Sequence, residues 1–199
     1  MTVANILDRV EASRAKRLKA RTNETHDRLD RRIMAGRPFE SRERYGRFVA
    51  VQHAFHSDID ALYVNPRLDR LLPDLAGRRR LGLIEQDMAD LGVAPLAGAP
   101  VLSLWGDVDL ATALGWLYVA EGSNLGAAFL LKEAMKLGLS EDFGARHLAG
   151  HPDGRGLHWR TFTGALDAIT LSQVEEDHLV AGATASFQRV HALVETAFA

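Results

Sequence analysis

Histidine is the residue type in this sequence best suited to binding a metal ion, and the chain contains eight histidines. No HExxH motif is present, and Glu-x-x-His occurs once, from Glu175 to His178, whereas a di-iron carboxylate bundle needs two such motifs. His53 and His56 are three residues apart and therefore lie near one face of a helix. His26 stands alone in TNETHDRL. Any of these could be a structural histidine, so spacing alone selects no metal ligand.

The apolar segment ALGWLYVAEGSNLGAAFLLKEAMKLG, residues 113–138, contains a second unusual pattern. It predicts one long helix, yet Gly122 and Gly126 interrupt it, and each costs about 1 kcal/mol of helix propensity relative to alanine. At about 100° per residue the two glycines lie one above the other, on a stripe shared with Gly115, Tyr118 and Phe129. Either a second helix or a flat ligand could approach the backbone there. The polar residues Ser123 and Asn124 in the same turn favour a ligand, and the glycines also permit a kink.

The elements that must position these residues are predicted to be helical almost throughout. Apolar residues recur with a period of 3.6, and no segment alternates long enough to form a sheet. Ser41 is a predicted N-cap, Ser172 and Glu175 form a predicted capping box, and Gly92 is predicted to end a helix. The predicted helices lie within residues 4–34, 38–63 (after the N-cap Ser41), 65–72 (after the cap Asn65), 77–92 and 113–138, in a segment after a turn at residues 152–156, and in a C-terminal segment from 172. A connector is predicted over 93–109. We predict an all-α protein with a single domain over residues 1–199.

Composition limits the class of protein further. The chain has 199 residues, of which 47% are hydrophobic, enough for one core. No apolar stretch reaches the ~18 residues of a membrane span, and the N-terminal residues lack the apolar region of a secretory signal. Because there is no cysteine, thiolate metal sites are excluded, and a reducing cytoplasm is the expected location.

Charge is distributed unevenly along the chain. Residues 1–80 carry a net charge of +7 and residues 81–199 a net charge of −9. The basic half could hold an anionic ligand or an acidic partner protein, or it could form solvated helix faces. Nucleic acid is not an expected partner, because the basic stretch lacks interleaved aromatic residues and the pI is only 6.4.

Four stretches taken together resemble one protein family. They are AKRLKARTNETHDRLD, FVAVQHAFHSDIDALY, ALGWLYVAEGSNLGAAFLLKEA and GARHLAGHPDGRGLHWR. In order and spacing they are similar to the short, soluble bacterial heme oxygenases, from about Ala15 to Phe198. The resemblance implies an all-α fold that holds heme between a proximal and a distal helix. It also implies oxidation of heme at a meso carbon to biliverdin, with release of iron and carbon monoxide.

The resemblance also implies roles for individual residues. His26 corresponds to the proximal iron ligand, and Glu24 or a backbone carbonyl could accept a hydrogen bond from its second ring nitrogen. Gly122 and Gly126 correspond to the distal glycines that leave room for O₂, with Ser123 expected to contact the heme. The residues expected to hold an ordered water chain that delivers protons are Gln52, His56, Arg80 and Asn124.

Lys19 and Tyr118 correspond to positions near the heme propionates, which cations and hydrogen-bond donors stabilise. Some family members have an amide and Phe at these positions and seat the heme rotated, whereas the Lys/Tyr pair implies cleavage at the α-meso carbon.

Heme b is thus the implied substrate and cofactor, and O₂ is the co-substrate. The chain has no flavin or Fe–S motif, so electrons are expected from an external reductase or ferredoxin, and we expect a monomer. The alternative is a protein of the same fold that binds or sequesters heme without turnover. Related thiaminase-like helical families rely on a cysteine, which this chain lacks.

Overall fold

The computed structural model describes residues 13–99, 102 and 108–199, and it confirms the all-α prediction over this part of the chain. The described residues form no strand, and Ser140 makes only isolated bridges, to Phe143 and Gly144. The helices are α1 (Arg14–Ala35), α2 (Arg42–Ile59), α3 (Pro66–Asp69), α4 (Leu81–Leu91), α5 (Leu110–Lys136), α6 (Arg155–Ala168) and α7 (Gln173–Ala197), with short 3-10 helices at Asp60–Val64, Ala76–Arg78 and Arg146–Leu148.

The helix ends follow the local chemistry of the sequence. The Ser41 side chain accepts a hydrogen bond from the Arg44 amide at the start of α2, and Ser172 and Glu175 form a reciprocal capping box at the start of α7. Gly92 ends α4 with a φ of 62°, a left-handed conformation that suits glycine. These three sequence predictions are confirmed.

Several boundaries differ from the predicted ones. The helix predicted over 38–63 ends at Ile59 and continues as the 3-10 helix Asp60–Val64. The helix predicted over 77–92 begins only at Leu81, because Arg80 is its N-cap residue. α5 starts at Leu110 rather than at residue 113, since the Asp109 side chain accepts from the Thr112 amide. α5 is also continuous α-helix through Gly122 and Gly126, so the glycines do not break it.

The C-terminal helix α7 organises the packing, because α1, α2 and α5 all lie against it. α5 and α7 approach most closely where Gly115 faces Gly182. A side chain at Gly115 would collide with the Leu179 carbonyl, and one at Gly182 with the Thr112 carbonyl. The main core combines buried apolar residues of α1, α2, α5, α6 and α7, and a second cluster of Tyr45, Phe48, Ile84 and Met88 joins α2 to α4. Among the described helices, none is long and apolar enough to cross a membrane.

Candidate active site

The glycine stripe of α5 divides into a packed part and an open part. Gly115 is covered by the backbone of α7, which is the helix-packing explanation of a small residue. A side chain at Gly122 would meet only the Trp159 ring, at 3.5 Å, in ordinary van der Waals contact. A side chain at Gly126 would meet no described atom within 4 Å. Helix packing therefore does not account for Gly122 and Gly126, and the backbone there is accessible to a ligand.

Large apolar side chains are exposed beside the open glycine. Leu125 is 44% exposed and Phe129 is 55% exposed, on either side of Gly126 on α5. Met34, near the end of α1, is 49% exposed. Exposed apolar surface next to an accessible backbone is typical of a binding site for a flat, apolar ligand. In the same turn, the Ser123 hydroxyl donates to the Ala120 carbonyl at 2.7 Å, so it is held close to the helix.

His26 lies on α1 with half of its side chain exposed. Its ring packs edge-to-face on Phe187, with centroids 5.5 Å apart. The nearest carboxylate to its Nδ1 atom is Asp30, one helical turn later, at 3.3 Å. Glu24, the acceptor suggested from sequence, instead lies 3.5 Å from the guanidinium of Arg28. A carboxylate beside Nδ1 favours a proton on that nitrogen and leaves Nε2 free to bind a metal.

Tyr118 of α5 contacts the turn of α1 from which Lys19 projects. Tyr118 is buried, and its hydroxyl donates to the Ala15 carbonyl at 3.3 Å. Lys19 follows Ala15 by one helical turn and is exposed. Burial raises the pKa of Tyr118, so the phenol keeps its proton and can act as a donor. The Tyr118 ring also packs against Trp159, with centroids 5.6 Å apart, next to the open glycines.

His56 is a buried histidine on α2 whose Nδ1 atom has no hydrogen-bond partner in the described structure. Burial, together with the positive charge of Arg80 and the proximity of His147, lowers its pKa to about 3. Its imidazole is therefore neutral at physiological pH, with one nitrogen that donates and one that accepts a hydrogen bond. Gln52 precedes it by one helical turn and is half-buried.

Arg80 and Asn124, the remaining predicted residues, both lie near the 3-10 helix Arg146–Leu148, to which Arg80 and Arg155 donate hydrogen bonds. Arg80 donates from Nη1 to the carbonyls of His147 and Ala149. Arg155 donates to the carbonyl between these two, and its Nη1 donates to the Asn124 carbonyl at 2.9 Å. The side chain of Asn124 is itself buried. Arg80 and the backbone of Asn124 are thus both tied to the segment from His147 to Ala149, Asn124 through Arg155, although they are far apart in sequence.

Sequence reasoning missed the pair formed by His147 and Asp87. Both are buried, and His147 Nδ1 lies 2.7 Å from Asp87 Oδ2. Burial alone would raise the pKa of Asp87, but hydrogen bonds from His147 and Arg146 lower it instead. The Nε2 atom of His147 has no described partner, and His147 is close enough to lower the pKa of His56. His147 lies in GARHLAG, which is part of a stretch that resembles the family but to which the sequence assigned no catalytic role.

A second missed feature is a buried ion pair directly behind the glycine stripe. Arg78 Nη1 donates to Glu121 Oε2 at 2.8 Å, and Tyr63 donates to Glu121 Oε1 at 3.1 Å. Arg78 and Glu121 are almost fully buried. Burial raises the pKa of Glu121, and Arg78 opposes that shift. Because Glu121 precedes Gly122, this pair fixes the turn of α5 from which the open glycines begin.

A cavity of about 540 Å³ opens elsewhere, between α2 and the segment that follows α4. Arg42, Gly46, Gly92 and Pro95 are among its lining residues, and no predicted site residue lines it. The cavity is therefore separate from the candidate active site, and it does not change the assignment of the predicted site residues.

Comparison with known proteins decides the family. The family model described as heme oxygenase matches residues 12–196. The chain belongs to the heme oxygenase family. It is 46% identical over 186 residues to the heme oxygenase PigA of Pseudomonas aeruginosa, covering 94% of this chain and 93% of that protein. It is also 41% identical to the structurally solved NO- and CO-bound heme oxygenase from Neisseria meningitidis, with a TM-score of 0.88 and coverage of 94% and 92%.

A more distant structure shows the fold alone. Heme oxygenase-1 from the cyanobacterium Synechocystis, solved in complex with heme, has a TM-score of 0.70 at 14% identity, covering 92% of this chain and 91% of that one. The family model and the two nearer relatives confirm the bacterial heme oxygenase resemblance and the enzyme class. This heme oxygenase degrades heme to biliverdin, and no comparison favours a protein that only sequesters heme.

Proposed function

We propose that this heme oxygenase binds heme b between α1 and the open glycines of α5 and cleaves it at the α-meso carbon. The observation that carries the proposal is the contrast along one stripe of α5. Gly115 is closed by the backbone of α7, whereas a side chain added at Gly126 would have no described atom within 4 Å. Exposed Phe129 and Leu125 next to Gly126 supply the apolar surface that a porphyrin would cover.

On the proximal side, His26 is the proposed ligand of the heme iron. A neutral imidazole is the usual proximal ligand in heme proteins that bind O₂. Asp30, 3.3 Å from Nδ1, is placed to accept the proton of that nitrogen and so to direct Nε2 toward the iron. Phe187 limits rotation of the ring by edge-to-face packing. These two neighbours support the assignment of His26, which stands alone in sequence.

On the distal side, Gly122 and Gly126 leave space for O₂, and Ser123 is proposed to contact the heme. Gln52, His56, Arg80 and Asn124 are proposed to hold the waters that deliver protons. The unpartnered Nδ1 of His56 supports this role, because a buried polar atom without a protein partner is commonly satisfied by water. Because burial lowers the pKa of His56 to about 3, its imidazole stays neutral and would take part in the water chain only as a hydrogen-bond donor and acceptor.

At the heme edge, Lys19 and Tyr118 are proposed to anchor a propionate. Their positions around one turn of α1 support a shared ligand, because the Tyr118 hydroxyl could exchange its hydrogen bond to the Ala15 carbonyl for one to a carboxylate that Lys19 also binds. This anchoring would set the rotation of the heme and select the α-meso carbon.

The remaining proposals concern partners and context. Heme and O₂ are the substrates, an external reductase or ferredoxin supplies electrons, and the protein acts as a cytoplasmic monomer with one domain. No nucleic acid or membrane is a proposed partner.

Addition of one equivalent of heme, followed by a reductant in air, tests the proposed function. We expect the Soret band to disappear, a bilin to form, and chromatography to identify it as biliverdin IXα. Reduced heme that persists without bilin would contradict turnover. A product dominated by the β or δ isomer would leave heme degradation intact and overturn only the proposed anchoring by Lys19 and Tyr118.

A further inference from the structure

Two histidines and one aspartate form a cluster beside Arg78, whose guanidinium lies 3.5 Å from His158. Asp74 precedes the 3-10 helix Ala76–Arg78, His151 lies in the loop before α6, and His158 lies within α6. One ligand atom from each lies within 4.8 Å of the other two. The three come from separate parts of the chain, so only the tertiary fold brings them together.

The donor set has a recognisable chemistry. Two imidazole nitrogens and one carboxylate oxygen suit late first-row divalent ions such as Zn²⁺, Co²⁺ and Fe²⁺ and are poor ligands for Mg²⁺ or Ca²⁺. Ligand atoms around one such ion are about 3–4 Å apart, as follows from metal–ligand distances of about 2.0–2.2 Å. Closing the cluster from 4.8 Å therefore needs movements of about 1 Å, within reach of the two loop residues.

His158 provides an independent indication of a ligand. Its Nε2 atom is inaccessible to solvent and has no hydrogen-bond partner among the described residues. A buried polar atom without a partner is costly, and coordination would satisfy it.

The position of the Asp74 carboxylate depends on the absence of a side chain at Gly77. The carboxylate of Asp74 lies directly over Gly77, where any side chain would collide with it. Gly77 thus leaves the space that this carboxylate occupies.

The surroundings of the histidines are consistent with one further positive charge. The Nδ1 atom of His151 accepts a hydrogen bond from the Asp153 amide at 3.2 Å, and the Asp153 carboxylate lies 3.7 Å from the same nitrogen. Arg78 Nη1 lies 3.5 Å from His158 Nδ1, and because a guanidinium only donates, this contact must open for Nε2 to release its proton and bind a metal. The charge of Arg78 is balanced by Glu121 at 2.8 Å. The two imidazole rings are stacked 4.4 Å apart and nearly parallel, so they must splay to share one ion. His151, half-exposed on a loop, can turn.

We infer that Asp74, His151 and His158 form a binding site for one late first-row divalent metal ion, separate from the heme site. Such an ion would tie the Asp74 loop and the His151 loop to α6. Through Trp159 and Arg78, which contact Gly122 and Glu121 respectively, the site would stiffen the surface behind the distal helix.

The test is a Zn²⁺ titration of the ferric heme complex by calorimetry, without reductant. Heme occupies His26, which with Asp30 could otherwise bind Zn²⁺. We expect one Zn²⁺ per chain with micromolar affinity, undiminished by millimolar Mg²⁺, and a Tm rise of about 5 °C or more at a hundredfold excess over Kd. Co²⁺ should give visible ligand-field bands that Zn²⁺ displaces.

Variants connect the binding to the cluster. Asp74→Asn and His151→Gln alter an exposed and a half-exposed residue and should each weaken Zn²⁺ binding at least tenfold. His178→Ala is the matched control, because His178 lies 3.4 Å from Asp109 without a second histidine in that pair, and it should bind as the unaltered protein does. No binding at 1 mM Zn²⁺, or an affinity that neither Asp74→Asn nor His151→Gln changes, would overturn the inference.

Discussion

At the scale of single residues, the site depends on which neighbours each side chain has. Asp30 lies 3.3 Å from His26 Nδ1, and Phe187 packs edge-to-face on the ring of His26. Neither neighbour is evident from the lone position of this proposed iron ligand in TNETHDRL. Tyr118 has a buried ring and a hydroxyl directed at α1. The predictions at this scale concern these two side chains, because each has one stated contact that a substitution removes.

Replacement of His26 by alanine should abolish the imidazole-ligated ferric spectrum and heme degradation, because it removes the imidazole that is proposed to bind the iron. The measurement is the visible spectrum of the heme complex with a turnover assay, and added imidazole should restore part of both. His178→Ala is the control, since its side chain is 51% exposed, as is that of His26. An unchanged spectrum and full activity in His26→Ala would show that another residue binds the iron.

Replacement of Lys19 by asparagine together with Tyr118 by phenylalanine should spread the product over more than one biliverdin isomer. A charge-assisted hydrogen bond contributes about 1.5–3 kcal/mol, which is more than tenfold between two orientations of the heme. Chromatography of the products measures the ratio. Lys16→Asn, another exposed lysine on α1, should leave the ratio unchanged. If the double variant keeps a single isomer, the propionates are anchored by other groups.

At the scale of elements, α5 combines two uses of glycine in one helix. Gly115 allows α5 to contact the backbone of α7, whereas Gly126 faces open space. Directly between them, Glu121 holds α5 to the 3-10 helix Ala76–Arg78 through Arg78. The helix is thus fixed on one side while it remains accessible on the other.

Two glycine substitutions on α5 should therefore have opposite effects. Gly126→Leu should retain helicity and stability, since leucine is the better helix former, but it should abolish most heme degradation by filling the open space. Gly115→Ala should destabilise the fold by about 1–3 kcal/mol or more, because its side chain would collide with the backbone of α7. Circular dichroism during urea unfolding, beside an activity assay, separates the two. Loss of the fold in Gly126→Leu would show that this glycine is needed for packing.

Removal of one partner of the Arg78–Glu121 ion pair should cost more stability than removal of both. Arg78→Leu leaves a buried carboxylate without its partner, and we expect a loss of about 3–5 kcal/mol in the free energy of unfolding at pH 7. The double variant Arg78→Leu with Glu121→Leu should recover a large part of this loss, because it leaves no unpaired buried charge. Urea unfolding of the two variants measures the difference. A double variant no more stable than Arg78→Leu would argue that the polar contacts of Glu121 matter beyond the ion pair.

At the scale of the whole molecule, buried titratable groups couple the fold to pH. His56 is neutral in the folded state, with a pKa of about 3, whereas an unfolded histidine titrates near 6.5. The unfolded chain therefore binds one more proton than the folded chain between these two values. The contribution is fully present above pH 6.5 and is lost as the pH falls toward 3. Asp87, with a lowered pKa, contributes with the same sign.

The free energy of unfolding should accordingly decrease by about 1.4 kcal/mol per pH unit from His56 alone as the pH falls below 6.5. Urea unfolding at a series of pH values measures the slope. His56→Leu should reduce the slope by about 1.4 kcal/mol per pH unit and leave the part that His158 contributes, while His178→Ala on the surface of α7 should not change it. An equal slope in His56→Leu and in the unaltered protein would show that His56 does not carry the coupling.

Features that depend on neighbours a few residues away were predictable from the amino-acid order alone. Helical periodicity indicated the all-α class, and the caps at Ser41, Ser172 and Gly92 follow from side-chain or backbone chemistry within one turn. Long matched stretches such as GWLYVAEGSNLGAAFLLK were specific enough to indicate the heme oxygenase family, which the comparisons confirmed.

Features that depend on distant segments required the packed helices. Gly115 and Gly126 look alike in sequence, and the approach of α7 alone makes one a packing residue and the other an open one. His147 and Asp87 are 60 residues apart, and Arg78 and Glu121 are 43 apart. No local pattern encodes such pairs, because the partners meet only when the helices pack. Their hydrogen bonds, strengthened in the low dielectric of the packed interior, then offset the cost of desolvating them.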